Sequence, residues 1–132
     1  MASRLLILFV GLVILSAVQL SAHHSHAATY FEGQKATIEG KVAQVSIRNP
    51  HSWVQVSVKD TNGEVHLWAI EWAAATQLNQ AGVVGRTLRV GDQVTIMGNP
   101  ARDPKQRRLR MLVIDRASDK WSWGTRPGEV VN

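Results

Sequence analysis

Residues 34–47 read as one long β-strand that changes face part-way, and this change limits the fold more than any other feature of the chain. Ile38, Gly40 and Val42 share one alternation phase, whereas Val45 and Ile47 lie in the other. Side chains of a strand alternate with a period of two, so a switch of phase near Ala43 requires a bulge or a sharp bend. Gly40 suits a strand that curls tightly, because it carries no side chain to crowd the curve. Asn49-Pro50 then ends the strand, since proline has no N–H to give to a ladder.

The elements that follow are short and mostly extended. Residues 52–59 form a second strand with Val54, Val56 and Val58 on one face. Asp60-Thr61-Asn62-Gly63 reads as a hairpin turn, with Asn62-Gly63 suited to positive φ. A third strand, residues 64–72, places Val65, Leu67 and Ala69 on one face and His66, Trp68, Ile70 and Trp72 on the other. Such a strand is either covered on both faces or lines a binding surface. Residues 73–81 are alanine-rich and end at Gly82, which predicts the one helix. After a tight turn at Arg89-Val90-Gly91-Asp92, residues 93–98 form a fourth strand with Val94 and Ile96 inward. Residues 108–116 form a fifth, with Leu109, Met111 and Val113 on one face and Arg108 and Arg110 on the other. Three strands, a helix and two strands predict an all-β fold: a small five-stranded OB-like Greek-key barrel with one short helix between strands 3 and 4. An open five-stranded sandwich is the alternative; closure has the merit of removing exposed edges.

A segment resembling a secretory signal peptide precedes this domain. Arg4 is followed by an almost unbroken apolar run over residues 5–15, and polarity returns at Gln19 and Ser21. A membrane anchor needs roughly 20 apolar residues, and this run stops short of that. Cleavage after Ala22 is favoured; cleavage after Ala27 has the better pair of small residues but lies far from the apolar run. The expected layout is a signal peptide over 1–22, a flexible His-rich start over 23–33, the barrel over 34–117 and a mobile tail over 118–132. A periplasmic or secreted location follows. With no cysteine in 132 residues, disulfides, thiol catalysis and thiolate metal sites are excluded. The formal charge of +5 is a mild basic excess that suits solubility or contact with acidic solutes.

Four groups of residues carry possible chemistry. His23, His24 and His26 directly follow the apolar run, and a free amino terminus beside imidazole is a Cu(II) chelate; the plain alternative is a disordered polar start. Asn49, His51 and Trp53 form a corner between the first two strands, either a binding corner or a structural turn. Trp68, Glu71 and Trp72 lie on the third strand, where tryptophan offers either a stacking surface or core packing. A turn pairing Asp60 with Gly63 puts Trp53 near Ile70 and His51 near Trp72, so His51, Trp53, Glu71 and Trp72 gather at one end. There the imidazole and carboxylate could bind a metal, share a proton or merely pair. Arg102, Lys105, Arg107, Arg108 and Arg110 lack interleaved aromatics, which favours a solvated loop and predicts no nucleic-acid partner. No nucleophile–histidine–acid arrangement, phosphate loop or His-Glu-x-x-His helix stands out.

Taken in order, these segments resemble a family of small exported bacterial proteins known only as a domain of unknown function. The resemblance rests on His23-His24-Ser25, Glu39-Gly40-Lys41-Val42, Asn49 to Trp53, Lys59 to Gly63, Trp68 to Glu71, Gly91 to Thr95 and Gly98 to Ala101. Trp72, where the family often has a smaller residue, and the longer tail depart from the pattern. The resemblance implies a periplasmic or secreted β-barrel domain and implies no activity. The resulting expectation is an exported, non-enzymatic binding domain for a small ligand or metal ion. Asn49, His51, Trp53, Trp68, Glu71 and Trp72 are its candidate ligand-binding residues, and His23, His24 and His26 its candidate metal ligands, with Cu(II) the ion considered. The alternatives are an envelope protein-interaction module using the tryptophan surface, and a minor hydrolase or accessory protein using His51 and Glu71.

Overall fold

The computed structural model describes residues 26–126. The signal peptide expected over 1–22 lies outside the described residues, as do His23, His24 and residues 127–132. The elements run β1 (Ala36–Ser46), β2 (Ser52–Lys59), β3 (Val65–Trp72), α1 (Ala75–Gln80), β4 (Gln93–Pro100), β5 (Arg108–Arg116) and β6 (Trp121–Gly124). Among the described residues, no helix is long and apolar enough to cross a membrane.

β1 explains the architecture. Its first half, from Ala36 to Lys41, pairs antiparallel with β4, and its second half, from Lys41 to Ser46, pairs antiparallel with β2. The ladder with β2 is irregular between Val42 and Gln44, leaving Ala43 as the extra residue. This is the bulge that the phase switch requires. The sheet order is β3-β2-β1-β4-β5-β6, and a short parallel pairing of Ala69–Glu71 with Arg108–Arg110 joins β3 to β5. That pairing closes the five-stranded OB-like barrel, with the short helix between β3 and β4, as expected from the strand order.

The barrel interior is filled by Ile38, Val42, Val54, Val56, Ile70, Trp72, Val94, Ile96, Leu109, Met111 and Ile114. Leu78 of α1, with Val83 and Leu88 after it, joins the same core. Two details differ from the sequence reading. Val65 and Leu67 are 63% and 53% exposed, so only the Ile70 and Trp72 face of β3 is core. Along β5, Met111 faces Gly98 but Val113 faces Met97, so Leu112 is skipped in the ladder. Phase therefore changes there, and Ile114 rather than Val113 enters the core cluster.

The β2–β3 turn is one residue longer than a two-residue hairpin. Lys59 pairs with Val65, and the Asp60 N–H donates to the Glu64 carbonyl at 2.8 Å, which leaves residues 61–63 as the loop. Asp60 Oδ1 accepts the N–H groups of Asn62 and Glu64, each at 2.9 Å. Only Gly63 takes positive φ, at 87°. The three-residue loop moves the register by one, so Trp53 faces Glu71 and Ser52 faces Trp72.

Both ends of the described chain are attached to the barrel. The start expected to be flexible makes a helical turn over residues 26–29 and then bridges Tyr30 to Ala101. Tyr30 is fully buried, and the Asn99 amide donates to the carbonyls of Glu32 and Gln34 at 3.0 and 2.8 Å. The segment expected to be a mobile tail contains β6, which pairs with the second half of β5. Trp121 and Trp123 pack against the core, and the Trp123 ring meets Trp72 edge-on at 5.3 Å. Composition hid this strand, because Gly124 and Pro127 suggest a loop while two tryptophans supply the buried area. Trp123→Ala should lower stability by about 1–2 kcal/mol, the size of a partly buried aromatic contact. A urea unfolding midpoint unchanged from the parent would show that β6 adds nothing.

Candidate functional site

The corner after β1 is built by its own backbone needs. α1 starts at Ala75 behind Ala74, whose side chain cannot cap a helix. The corner supplies the acceptors instead: the Arg48 carbonyl takes the Ala75 N–H at 3.1 Å, and Asn49 Oδ1 takes the Thr76 N–H at 3.3 Å. Buried Ser52 completes the turn by bonding both the N–H and the carbonyl of Arg48. Asn49 thus serves the helix, while the next residues but one, His51 and Trp53, face the opposite wall of the corner.

That wall centres on Glu71. Its side chain points away from the barrel interior, yet Glu71 is only 6% exposed. Three elements cover it: the parallel neighbour β5, the corner before β2 and the N-terminal segment. Its two oxygens have separate duties. Oε2 accepts from the Tyr30 hydroxyl at 2.5 Å and from Arg108 Nη2 at 2.9 Å. Arg108 Nε in turn donates to the Tyr30 oxygen at 2.6 Å, which closes a three-membered network. Oε1 faces two imidazoles, with His51 Nδ1 at 3.1 Å and His26 Nδ1 at 3.8 Å. The two rings meet edge-on, their centroids 5.2 Å apart. The Arg108 guanidinium also lies 4.6 Å over the ring of Trp53.

The charges follow from these contacts. Burial pushes the Glu71 carboxyl up, but the hydrogen bonds from Tyr30 and Arg108 and the nearby His51 outweigh it and hold the carboxyl below its ordinary value. Burial, reinforced by the hydrogen bond to Glu71, pushes the Tyr30 phenol up, so it stays a neutral donor. His26 is pulled below its ordinary 6.5 by burial and then by the Arg110 charge. A depressed histidine makes the folded state take up its proton later than the unfolded state. The His26 contribution is therefore present above about pH 6.5 and lost as pH falls through the lower folded value. In metal-free protein, thermal stability should begin to drop below about pH 6.5, and His26→Asn should lack that step.

A cleft of about 620 Å³ opens beside the cluster and is lined by His26, His51, Glu71, Trp72 and Arg110 among others. The sequence candidates divide accordingly. His51, Glu71 and Trp72 border the cleft, and Trp53 lies under Arg108. His26 joins them from the N-terminal segment, although the sequence grouped it with His23 and His24. Trp68 packs against the core away from the cluster. Tyr30 and Arg108 were missed. In the sequence Arg108 belongs to a basic run that suggests a solvated loop, but it sits where β5 meets β3, a parallel contact between distant segments.

Residues 11–110 match the sequence profile of a family of unknown function, DUF6152. The chain belongs to that family. In this DUF6152 member the matched span includes the barrel up to the beginning of β5, together with His26, His51, Glu71 and Arg108. No curated protein matches the chain. Among solved structures, it is similar to the mitochondrial single-stranded DNA-binding protein Rim1 from S. cerevisiae. The two share 13% identity, with 64% of this chain and 93% of that one covered and a TM-score of 0.48. The expectation that nucleic acid is not a partner is corrected on this finding: a similar chain is named for binding single-stranded DNA, so the exclusion is withdrawn. The likeness itself assigns no ligand to the DUF6152 protein.

Proposed function

We propose that the protein is an exported, non-enzymatic binding domain whose ligand is a divalent transition-metal ion held by His26, His51 and Glu71. One observation carries this reading: a ligand atom from each of the three residues lies within 4.8 Å of the other two. Ligands about 2.1 Å from a tetrahedral metal ion stand about 3.5 Å apart, so separations of 3.1 and 3.8 Å need only small side-chain movements. Further support lies in how Glu71 is held. Arg108 and Tyr30 occupy Oε2 and fix the carboxylate plane, which leaves Oε1 for an ion, as outer-shell groups do in metal sites. Two imidazoles and one carboxylate suit copper, zinc or nickel, and by the usual divalent order Cu(II) binds more tightly than Zn(II). The export reading rests on the apolar segment after Arg4.

The test is Cu(II) and Zn(II) titration of the mature protein beside two variants. His51→Ala should weaken Cu(II) binding at least about tenfold, since a direct ligand matters no less than an outer-shell one. Binding should also weaken as pH falls through about 6.5, where protons compete for imidazole. A His23→Ala, His24→Ala double variant should keep its affinity. Loss confined to that double variant, with His51→Ala unchanged, would move copper to the N-terminal histidines and remove the barrel site.

A further inference from the structure

Three protein ligands leave at least one coordination position of a zinc or copper ion for something else. The walls of the cleft beside the cluster define what that ligand would meet. Trp72 lines the cleft and is 2% exposed, and its indole N–H is the one buried side-chain polar atom without a hydrogen-bond partner among the described residues. A buried donor left unmet is unfavourable, so an acceptor is expected there. Arg110 also lines the cleft, and its ion pair with Glu32 is long, 3.4 Å, between exposed groups. A guanidinium fork suits a planar carboxylate, which it can grip with two parallel hydrogen bonds. Much of the remaining lining is apolar, from Pro50, Ala73, Met111 and Trp123. That surface has nothing to offer a fully hydrated inorganic anion but can shelter an apolar body.

We propose that the metal-loaded site binds a small organic carboxylate with an apolar body, through Arg110, the Trp72 indole N–H and the open metal position. This rests on the metal reading above. One carboxylate oxygen meets the metal ion while the guanidinium and the indole hold the group, and the apolar body lies along Met111 and Trp123.

The test uses the Cu(II)-loaded mature protein titrated with benzoate, acetate and benzyl alcohol, followed by calorimetry and by the visible copper band. Benzoate should bind at least tenfold more tightly than acetate, which lacks the ring, or benzyl alcohol, which lacks the carboxylate. It should also shift the copper band. With copper saturating each protein, Arg110→Gln should bind benzoate at least tenfold more weakly, and Arg110→Lys should fall between, since it keeps the charge and loses the fork. A benzoate affinity equal in parent and Arg110→Gln, or a copper band that benzoate leaves unmoved, would overturn the carboxylate proposal and leave the metal site standing. Failure of copper to load at His26, His51 and Glu71 would overturn both.

Discussion

Replacing Gly40 with valine should cost the fold about 3 kcal/mol or more, the upper range for forcing a side chain into filled space. A Cβ at Gly40 would lie 2.3 Å from the Ser57 carbonyl oxygen and 2.9 Å from Val56 Cγ1. The first of these is backbone and cannot swing aside. Gly40 pairs with Val94 on β4, and its neighbour Lys41 pairs with both β4 and β2, so the strand turns here from one partner to the other. Relief would require β1 and β2 to separate at the point where the barrel curls. Small domains have only about 5–15 kcal/mol in total, so the variant should show a urea midpoint lower by about 2 M, or fail to fold. Gly33→Ala is the control, because a Cβ there meets nothing within 4 Å, and its effect should stay within about 0.5 kcal/mol. A Gly40→Val protein as stable as the parent would show that β1 does not bend at this glycine.

The barrel was legible because its constraints are local. The phase switch around Ala43 needs only the period of a strand, and the helix needs only alanine followed by glycine. What misled was counting by one. Asp60 takes two backbone N–H groups and lengthens the turn, which moves Trp53 from Ile70 to Glu71. Leu112 drops out of the β4–β5 ladder, which brings Ile114 into the central cluster and leaves Val113 buried outside it. Neither change alters the residue pattern enough to be seen in one sequence.

The site was legible by halves, for a related reason. His51 and Glu71 are joined by a hairpin, so turn chemistry alone brings them to the same end. His26, Tyr30 and Arg108 arrive by long-range contacts: the N-terminal segment bridges to Ala101, and β5 runs parallel to β3. No periodicity marks such contacts. Arg108 alternates with Leu109 and so belongs on an outer face, but that face is solvated only where no other segment crosses it. Here Tyr30 and Trp53 cover it, and the apparent loop charge becomes the partner of a buried carboxylate.

Removing that carboxylate should have the largest effect of any change at the site. Glu71→Ala should destabilise the metal-free protein by about 3 kcal/mol. This is the low end for breaking a buried pair, because Arg108 keeps 30% of its side chain exposed and can recover some hydration. The loss has two parts: an unpaired guanidinium, and a Tyr30 hydroxyl buried without its acceptor. Glu71→Gln separates them. Its amide oxygen can still accept from Tyr30 and Arg108, so only the charge is lost, and the cost should fall to about 1–2 kcal/mol. The two forms also differ in pH response. The folded carboxyl is held below its ordinary value, so its contribution is complete above the unfolded pKa of about 4.3 and disappears as pH falls through the folded value. The gap between parent and Glu71→Gln should therefore be full at pH 7 and should shrink below about pH 4.3. Urea unfolding of both proteins from pH 7 down to pH 3 measures it directly. A gap that stays constant over that range would mean that Glu71 contributes shape rather than charge, and that Arg108 is balanced by something other than this carboxylate.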